Sequence, residues 1–261
     1  TILASTLITG SISWLYYSDR LVEFPLGVFG IALATVVLPS LARNHANAES
    51  LKFSATLDWA LRLVILIAVP AALGLALLAE PMLSTLFQYR AFEERDVVMA
   101  GRSLVAYSSG LTAFIMIKIL APGFYAKQDT RTPVRIGVIA LCVNLVLNVI
   151  LVFPLAHAGL ALATSLAAFL NAGLLLRALL ANGSYIPSDG WRSFLIKVAA
   201  ATLIMGVVIS LLNLDQVQWS AAQAAERASM LGGLLFAGIL SYFLSVFAFG
   251  LRVRHFTRHD G

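Results

Sequence analysis

Long apolar runs recur along the whole chain, and they constrain its fold more than any other feature of the sequence. A helix needs about 20 apolar residues to cross the hydrocarbon core of a bilayer. Because lipid cannot satisfy the polar groups of the backbone, such segments cross as helices, whose hydrogen bonds are internal. We therefore predict eight transmembrane helices, at residues 1–18, 24–41, 59–79, 98–120, 133–153, 156–178, 192–212 and 229–251.

The composition agrees with this prediction. Of the 261 residues, 60% are hydrophobic and only 12% are charged, whereas a soluble domain has about 25% charged residues. So few charges cannot cover a water-soluble globule, and the predicted fold class is an all-α, polytopic membrane helical bundle. The chain opens inside an apolar run, with neither an initiator methionine nor a basic leader region. We therefore expect it to be a fragment of a longer protein.

The basic residues indicate how the helices are oriented, because Lys and Arg favour cytoplasmic connections. Thirteen of the 18 Lys and Arg residues lie at one set of helix ends, which we predict to be cytoplasmic together with the C-terminus. The segment SDRLVEF then connects the first two helices at or near the outer face. The cytoplasmic set comprises Arg43, Lys52, Arg62, Lys118, Lys127, Arg131, Arg135, Arg177, Arg192, Lys197, Arg252, Arg254 and Arg258.

The sequence carries no motif of a known catalytic or metal site. It contains no phosphate-binding Gly-Lys-Ser/Thr loop, no HExxH or paired Cys/His spacing, and no Gly-x-Ser-x-Gly elbow. We expect no enzymatic activity, no cofactor and no metal. The single cysteine, Cys142, excludes an internal disulfide and is interpreted as a packing residue. The net charge of +5 is scattered between apolar runs, so we expect no nucleic-acid partner.

The segment YYSDRLVEFPLGVFG, residues 16–30, places three charged side chains between two apolar runs. If this segment is helical, Arg20 and Glu23 are i,i+3 neighbours, and Asp19 and Glu23 are i,i+4 neighbours. Spacing alone leaves two interpretations open. The first is an ion-paired turn between two helices at the membrane surface. The second is an arginine that faces a water-filled cavity, where its planar guanidinium can bind two oxygens of a diphosphate.

Two further places combine polar residues with apolar runs. Arg102 lies about one turn inside the fourth run, where it either extends to the interface or faces a cavity. The connection APGFYAKQDTRTPVR, residues 121–135, has a Pro-Gly break, a tight loop and a helix that starts near Pro133. It is interpreted as a structural loop, as a gate or hinge, or as a contact for anionic lipid. Its candidate residues are Pro122, Gly123, Lys127, Asp129 and Arg131.

Several segments together resemble the bacterial lipid II flippase family, MurJ/MviN. They are YYSDRLVEFPLGVFGIALATVVLPSLA, LDWALRL, FQYRAF, LVAYSSGL and APGFYAKQDTRTPVRI. The resemblance covers only the last eight helices of the family. It implies the fold of the multidrug/oligosaccharidyl-lipid/polysaccharide exporters, in which two six-helix lobes surround a V-shaped cavity. Residues 1–180 resemble the second lobe. Residues 181–261 would form a two-helix extension, with an apolar groove suited to a polyprenyl tail, and a basic cytoplasmic tail.

The resemblance also bears on the candidate site. The family places the arginine of its YY-x-D-R-L motif in the cavity, and in this sequence that arginine is Arg20. The resemblance therefore favours the cavity interpretation, with Asp19 and Glu23 as tuning neighbours and Arg102 as a second substrate-binding candidate. One local departure is Ser18, where we expect the family to favour alanine.

The function implied by the resemblance is transport without covalent chemistry. Lipid II, an undecaprenyl-diphosphate-linked disaccharide peptide, would move from the inner to the outer leaflet by alternating access during peptidoglycan synthesis. The implied partners are lipid II, membrane lipids and the missing N-terminal lobe, and the implied location is the bacterial cytoplasmic (inner) membrane. Three alternatives stay open: a drug or polysaccharide exporter of the same superfold, a membrane enzyme acting on lipid-linked substrates, and a non-transporting membrane bundle.

Overall fold

A computed structural model of the chain describes residues 7–89, 91–213, 219 and 222–251. Every regular element within these residues is helical, which confirms the predicted all-α class. Six of the described helices are long and apolar enough, by length and composition, to cross a membrane. The basic tail at 252–261 lies outside the described residues.

The first membrane-length helix is continuous over Ser11–Ala46. It consists of α1 (Ser11–Pro25), a π-helical turn (Leu26–Ile31) and α2 (Ala32–Ala46). The prediction of two separate spans, 1–18 and 24–41, joined by SDRLVEF near the outer face, is therefore wrong. Residues 1–6 of the first predicted span lie outside the described residues.

The charged residues do not end this helix because they lie together on one exposed face. Side chains three and four positions apart share a helix face, and Asp19, Arg20 and Glu23 follow this spacing. Proline lacks a backbone N–H, but the chain passes Pro25 with helical dihedrals, φ −64° and ψ −32°, before it enters the π-helical turn. The opposite face is buried and comprises Trp14, Ser18, Leu21, Val22 and Pro25.

Three helices follow: α3 (Ser50–Leu77), α4 (Ala79–Phe87) and α5 (Glu94–Tyr125). Of these, α3 and α5 contain most of the predicted spans 59–79 and 98–120. The start of α5 has a capping box, in which the Glu93 N–H donates to Asp96 Oδ2 at 2.8 Å and the Glu93 side chain accepts the Asp96 N–H. These bonds satisfy N–H groups that the first turn of a helix otherwise leaves unbonded.

The next helix, α6 (Arg131–Ala181), is divided by a sharp turn. Its 51 residues would measure about 75 Å as a straight helix, whereas the hydrocarbon core is about 30 Å thick. The turn lies at Ala156, with φ 48° and ψ −129°. Beyond it, a Cβ on Gly159 would lie 2.1 Å from the carbonyl oxygen of Leu151, so only glycine fits there. The two arms match the predicted spans 133–153 and 156–178.

The last two described helices, α7 (Trp191–Leu212) and α8 (Ala224–Ala248), match the predicted spans 192–212 and 229–251 within a few residues. They pack against each other, and α7 also contacts α3 while α8 contacts α4. One buried apolar cluster joins α1–α6, and a second joins α7 and α8 with Leu78. The predicted division into residues 1–180 and 181–261 stays a prediction.

The helix directions group the basic connections at one end of the bundle. The segment 47–49 leads into the start of α3 there. The start of α3 and the segments 126–130 and 182–190 are held together, because Ser54 Oγ accepts the Ile186 N–H at 2.9 Å and Lys127 Nζ donates to Ser184 Oγ at 2.5 Å. This is the end that the Lys and Arg pattern assigns to the cytoplasm. The orientation itself stays a prediction.

Close packing between α5 and α6 predicts the effect of one substitution. A Cβ at Gly110 would lie 2.7 Å from the backbone Cα of Ser165, so Gly110→Ala forces the two helices apart. We expect a loss of about 1–3 kcal/mol, measured as a lower thermal unfolding temperature of the purified protein.

The matched control is Gly137→Ala, because a Cβ at Gly137 meets no heavy atom within 4 Å. Alanine favours the helix over glycine by about 1 kcal/mol, so the control should equal or exceed the parent in stability. Equal unfolding temperatures for both variants would contradict the close packing of Gly110.

Candidate functional site

One face of α1 carries the polar residues that the sequence singled out. Tyr16, Asp19, Arg20 and Glu23, which we call the Arg20 stripe, are all exposed. Arg20 Nη1 donates to Glu23 Oε2 at 2.6 Å, and the Arg20 guanidinium carbon lies 4.9 Å from the centroid of the Tyr16 ring. The side chains of Arg20 and Glu23 keep 55% and 49% of their surface exposed. Arg20 is thus held by two neighbours without being covered by them.

The opposite face of α1 is fixed to the rest of the bundle by polar contacts. The Trp14 indole N–H donates to Asp96 Oδ1 at 2.7 Å, and the Trp14 ring lies 4.9 Å from that of His157. Ser18 is completely buried, and its hydroxyl donates to the carbonyl oxygen of Ala100 at 2.7 Å. An alanine at position 18 would not make this bond. These contacts set the rotation of α1, and therefore the direction in which the Arg20 stripe points.

Arg20 lies well inside its helix rather than at a connection. It is the tenth residue of the helix that begins at Ser11, which places it about 14 Å along the axis. The whole helix has 36 residues, about 54 Å, which exceeds a hydrocarbon core of about 30 Å. A charge inside such a core costs at least about 2.5–3.5 kcal/mol, so an arginine kept there faces water or a polar partner. Because α1 and α2 form one continuous helix, the interpretation of a turn between two helices is wrong, and the cavity role of Arg20 stays a prediction.

Arg102 lies on a different surface of the bundle. Ala100 marks the side of α5 that contacts α1, and Arg102 is turned about 200° from it around the helix axis. Arg102 is exposed and borders a cavity of about 930 Å³, which Arg20 does not line. A shared role of the two arginines stays a prediction. The other polar residues that line this cavity are Glu80, Ser109 and His157.

The predicted Pro-Gly break in the segment 121–135 is wrong, because α5 continues through it to Tyr125. The carbonyl oxygen of Pro122 accepts the Ala126 N–H at 2.9 Å, so the turn after the proline is intact. Gly123 is buried, and a Cβ there would lie 3.4–3.5 Å from Leu57 and Leu179. Both residues pack α5 against its neighbours.

The tight loop predicted after α5 is present at 126–130, where Gln128 has φ 60°. Lys127 Nζ, besides its bond to Ser184, lies 5.1 Å from the centroid of the Phe53 ring. Lys127 therefore links the end of α5 to α3 and to the connection 182–190.

The start of α6 is held by an acidic residue of the same loop. Asp129 Oδ1 accepts the backbone N–H of Thr132 at 3.0 Å. Hydrogen bonding to Thr132 lowers the pKa of the Asp129 carboxyl from its ordinary value, so the group is ionised at neutral pH. Arg131 begins α6 and is exposed. A gating role for this loop stays a prediction.

A second polar cluster, which sequence reasoning missed, joins α3 to the connection 182–190. Asp58 of α3 is only 6% exposed. Its carboxylate accepts bonds from the Tyr185 hydroxyl at 2.7 Å, the Trp191 indole N–H at 2.7 Å and the Ser188 hydroxyl at 2.5 Å. Arg62, one turn further along α3, donates to Asp58 from Nε at 2.9 Å. We call these five residues the Asp58 cluster.

Only two of the five members of this cluster have a signal in the sequence. The segment LDWALRL places Asp58 and Arg62 four residues apart, the spacing of an ion pair on one helix face. The other three members lie more than 120 residues later, and no local pattern connects them to α3. Burial and the neighbouring carboxylate raise the pKa of Tyr185 above its ordinary value, so its hydroxyl stays a donor.

The fold and the site together define a class of protein. The chain is a polytopic, all-α membrane protein that exposes an arginine stripe partway along a membrane-length helix. A family model described as lipid II flippase MurJ matches residues 1–228. The chain therefore belongs to the lipid II flippase MurJ family.

Individual relatives agree with this assignment. The chain is 48% identical to a probable lipid II flippase MurJ of Vibrio cholerae, over 96% of this chain and 48% of the relative. It is 45% identical to a probable lipid II flippase MurJ of Haemophilus influenzae, over 98% of this chain and 51% of the relative. It is 40% identical to the lipid II flippase MurJ of Burkholderia cenocepacia, over 99% of this chain and 50% of the relative. The chain thus spans about half the length of these curated relatives.

A solved structure shares the fold. It is described as a lipid II flippase MurJ in an inward closed conformation, and it matches with a TM-score of 0.80 and 26% sequence identity. The match covers 98% of this chain and 50% of that one. This likeness confirms the predicted resemblance to part of the flippase fold.

The contrast between the two faces of α1 predicts different solvent access at neighbouring positions. In the full-length protein with its other cysteines replaced, Arg20→Cys should react quickly with a water-soluble maleimide, because position 20 is exposed. Ser18→Cys should react at least tenfold more slowly, because position 18 is completely buried. Labelling rates measured by mass spectrometry test this. Comparable rates at the two positions would contradict the described rotation of α1.

Proposed function

We propose that this chain is the second lobe and C-terminal helix pair of a lipid II flippase. In the full-length protein it would move the undecaprenyl-diphosphate-linked disaccharide peptide from the inner to the outer leaflet. Membership of the MurJ family supports this function, and the match to about half of each relative supports the view that a first lobe completes the transporter.

The observation that carries the proposal is the half-exposed guanidinium of Arg20 inside a membrane-length helix. A guanidinium has a planar fork of donors that matches two oxygens of one phosphate group or of neighbouring groups. The diphosphate is the constant anionic part of a polyprenyl-diphosphate lipid. Arg20 would therefore hold the part of the substrate that does not depend on the sugar or peptide.

Glu23 and Tyr16 would keep Arg20 in place before the substrate arrives. An exposed ion pair stabilises by only about 0–1 kcal/mol, whereas a hydrogen bond to a charged group contributes about 1.5–3 kcal/mol. The arginine can therefore exchange the Glu23 carboxylate for phosphate oxygens at little cost. Asp19, exposed on the same stripe, would limit how strongly the anion is retained, so that the substrate can leave on the other side.

Transport would proceed by alternating access, in which the two lobes tilt so that a central cavity opens first to one leaflet and then to the other. The sequence has no nucleotide-binding loop, so an ion gradient or the membrane potential would supply the driving force. The polyprenyl tail would stay in lipid or along α7 and α8. The outward face of these two helices is apolar and includes Leu203, Phe236, Phe243 and Phe247.

Replacement of Arg20 tests the proposal in the full-length protein. Arg20→Ala removes the charge-assisted bonds to diphosphate, so we expect lipid II transport to fall about 10- to 100-fold and cell-wall growth to fail in a strain that depends on this protein. Arg20→Lys keeps the charge but loses the planar fork, and we expect it to restore only part of the rate. Transport is measured with labelled lipid II in vesicles, and protein levels by immunoblot.

Arg43→Ala is the matched control, because Arg43 is an exposed arginine of the same continuous helix near its other end. We expect it to behave like the parent. Full transport and growth with Arg20→Ala at parental protein levels would remove Arg20 from the mechanism.

The proposed location is the bacterial inner membrane, with the connections 47–49, 126–130 and 182–190 in the cytoplasm. Two exposed positions at opposite ends of the bundle test this orientation. Glu94→Cys, at the start of α5, should react with a membrane-impermeant maleimide in intact spheroplasts. Thr130→Cys should react only after the membrane is permeabilised. The reverse labelling pattern would contradict the proposed orientation.

A further inference from the structure

The C-terminal helix pair is attached to the rest of the bundle by more than apolar contact. The most polar attachment is at Asp58, where five donor groups converge on one buried carboxylate. Besides Arg62 and the Tyr185, Trp191 and Ser188 side chains, the backbone N–H of Ser188 donates to Oδ1 at 3.2 Å. Four of these five donors belong to the connection 182–190, which leads into α7, or to Trp191, the first residue of α7.

Arg62 extends this attachment in the same direction. Its Nη2 donates to the Ser188 hydroxyl at 2.7 Å and to the Asp189 carbonyl oxygen at 2.9 Å. The guanidinium carbon lies 5.0 Å from the Trp191 ring and 5.6 Å from the Phe194 ring. A cation over an aromatic face is attracted by the quadrupole of the ring. Arg62 therefore contacts both the connection 182–190 and the first turn of α7.

The same connection is bonded to α3 at a second point. The hydroxyl of Ser54, one turn before Asp58, accepts the Ile186 N–H at 2.9 Å and lies 3.1 Å from the Ile186 carbonyl oxygen. Ser54 and Asp58 together hold the backbone on both sides of Ile186.

Two further polar contacts attach α8 at other heights of the bundle. Tyr242 donates its hydroxyl to the carbonyl oxygen of Leu66 in α3 at 2.6 Å. Arg227, which is 8% exposed, donates to the carbonyl oxygen of Ser84 at 3.2 Å and to Gln88 Oε1 at 3.1 Å, at the end of α4. The α7–α8 pair and the connection that leads into it are thus bonded to α3 near its start and near its middle, and to the end of α4.

From this geometry we propose that Asp58 is a positioning residue that fixes the α7–α8 pair to the lobe, so that pair and lobe move as one rigid body during transport. The carboxylate is the centre of the attachment because this one residue of α3 orients donors from three separate residues, which lie in the connection 182–190 and at the start of α7. The consequence for transport rests on the proposed flippase function. A lipid tail held along α7–α8 would then travel with the second lobe and its Arg20 stripe.

The inference predicts what happens when Asp58 changes to asparagine, which has the same shape. Asp58→Asn keeps one acceptor oxygen, but it turns an amide N–H₂ towards groups that are themselves donors. The connection 182–190 should then separate from α3. The exposed ion pair between Lys52 and Glu49, 3.1 Å apart in the first turns of the same helix, provides the matched control, because Lys52→Ala removes a charge there without touching the cluster.

The experiment combines a distance with a transport rate in the full-length protein. Spin labels are placed on Cys142, which is exposed on α6, and on Phe236→Cys, which is 68% exposed on α8; other cysteines are replaced. We expect one narrow distance distribution in the parent, with and without lipid II. Asp58→Asn should broaden it and reduce lipid II transport at least fivefold, whereas Lys52→Ala should change neither.

A covalent tether separates positioning from other roles of the carboxylate. A disulfide between Ser54→Cys and Ile186→Cys, formed in Asp58→Asn before the two label sites are reacted, should restore both the narrow distribution and transport, and reduction of an unlabelled sample should return transport to the Asp58→Asn rate. If Asp58→Asn fails to accumulate in the membrane, Tyr185→Phe and Ser188→Ala carry the same test, because each removes a side-chain donor and leaves the carboxylate. We expect these two variants to broaden the distribution less.

Two results would overturn the proposal. The first is a parental distance distribution and parental transport with Asp58→Asn. The second is a tether that restores the distance but not transport, which would mean that the carboxylate acts otherwise than by positioning. If the parent itself moves no lipid II, the proposed function fails, and the distance measurement still decides whether Asp58 docks the pair.

Discussion

A charged side chain in an apolar helical bundle needs water or polar partners, and the two polar sites of the protein meet this requirement in different ways. The Arg20 stripe meets it by exposure, since its arginine and glutamate are about half exposed and paired with each other, while the guanidinium also lies over the Tyr16 ring. The Asp58 cluster meets it with hydrogen bonds, since several donors surround a buried carboxylate. The exposed contacts of Arg20 can be replaced by a ligand, whereas the fully hydrogen-bonded carboxylate of Asp58 forms a lasting attachment.

The two sites depend on the same closely packed interior. Ser18 and Trp14 fix α1 to α5. Because Gly110 has no side chain, the α5 backbone there packs directly against Ser165 of α6. Interiors packed this densely transmit displacement instead of absorbing it. The direction of the Arg20 stripe is therefore a property of the whole bundle. The α7–α8 pair joins this body through α3 and α4, so that the candidate substrate contact and the apolar outer helices belong to one unit.

Sequence patterns predicted most of the helices because apolar length is a local property. They failed at residues 19–23, where three charges were taken for a connection although their spacing of one, three and four positions puts them on one helix face. They also failed at Pro122 and Gly123, which pack inside α5. Arg20 was singled out because its motif is contiguous, and its role stays a prediction. The Asp58 cluster was missed because its donors lie far along the chain, and only tertiary structure brings Tyr185, Ser188 and Trp191 to α3.

The π-helical turn at Leu26–Ile31 changes the phase of the helix that contains Arg20. A π turn holds about one residue more than an α turn, so positions beyond it lag by about 100°. Gly30, Val37 and Leu41 are buried on the same side as Ser18 and Val22 only because of this lag. One removed residue would leave the span long enough for a bilayer, yet it would turn α2 by about 100° and move Val37 and Leu41 away from the buried side.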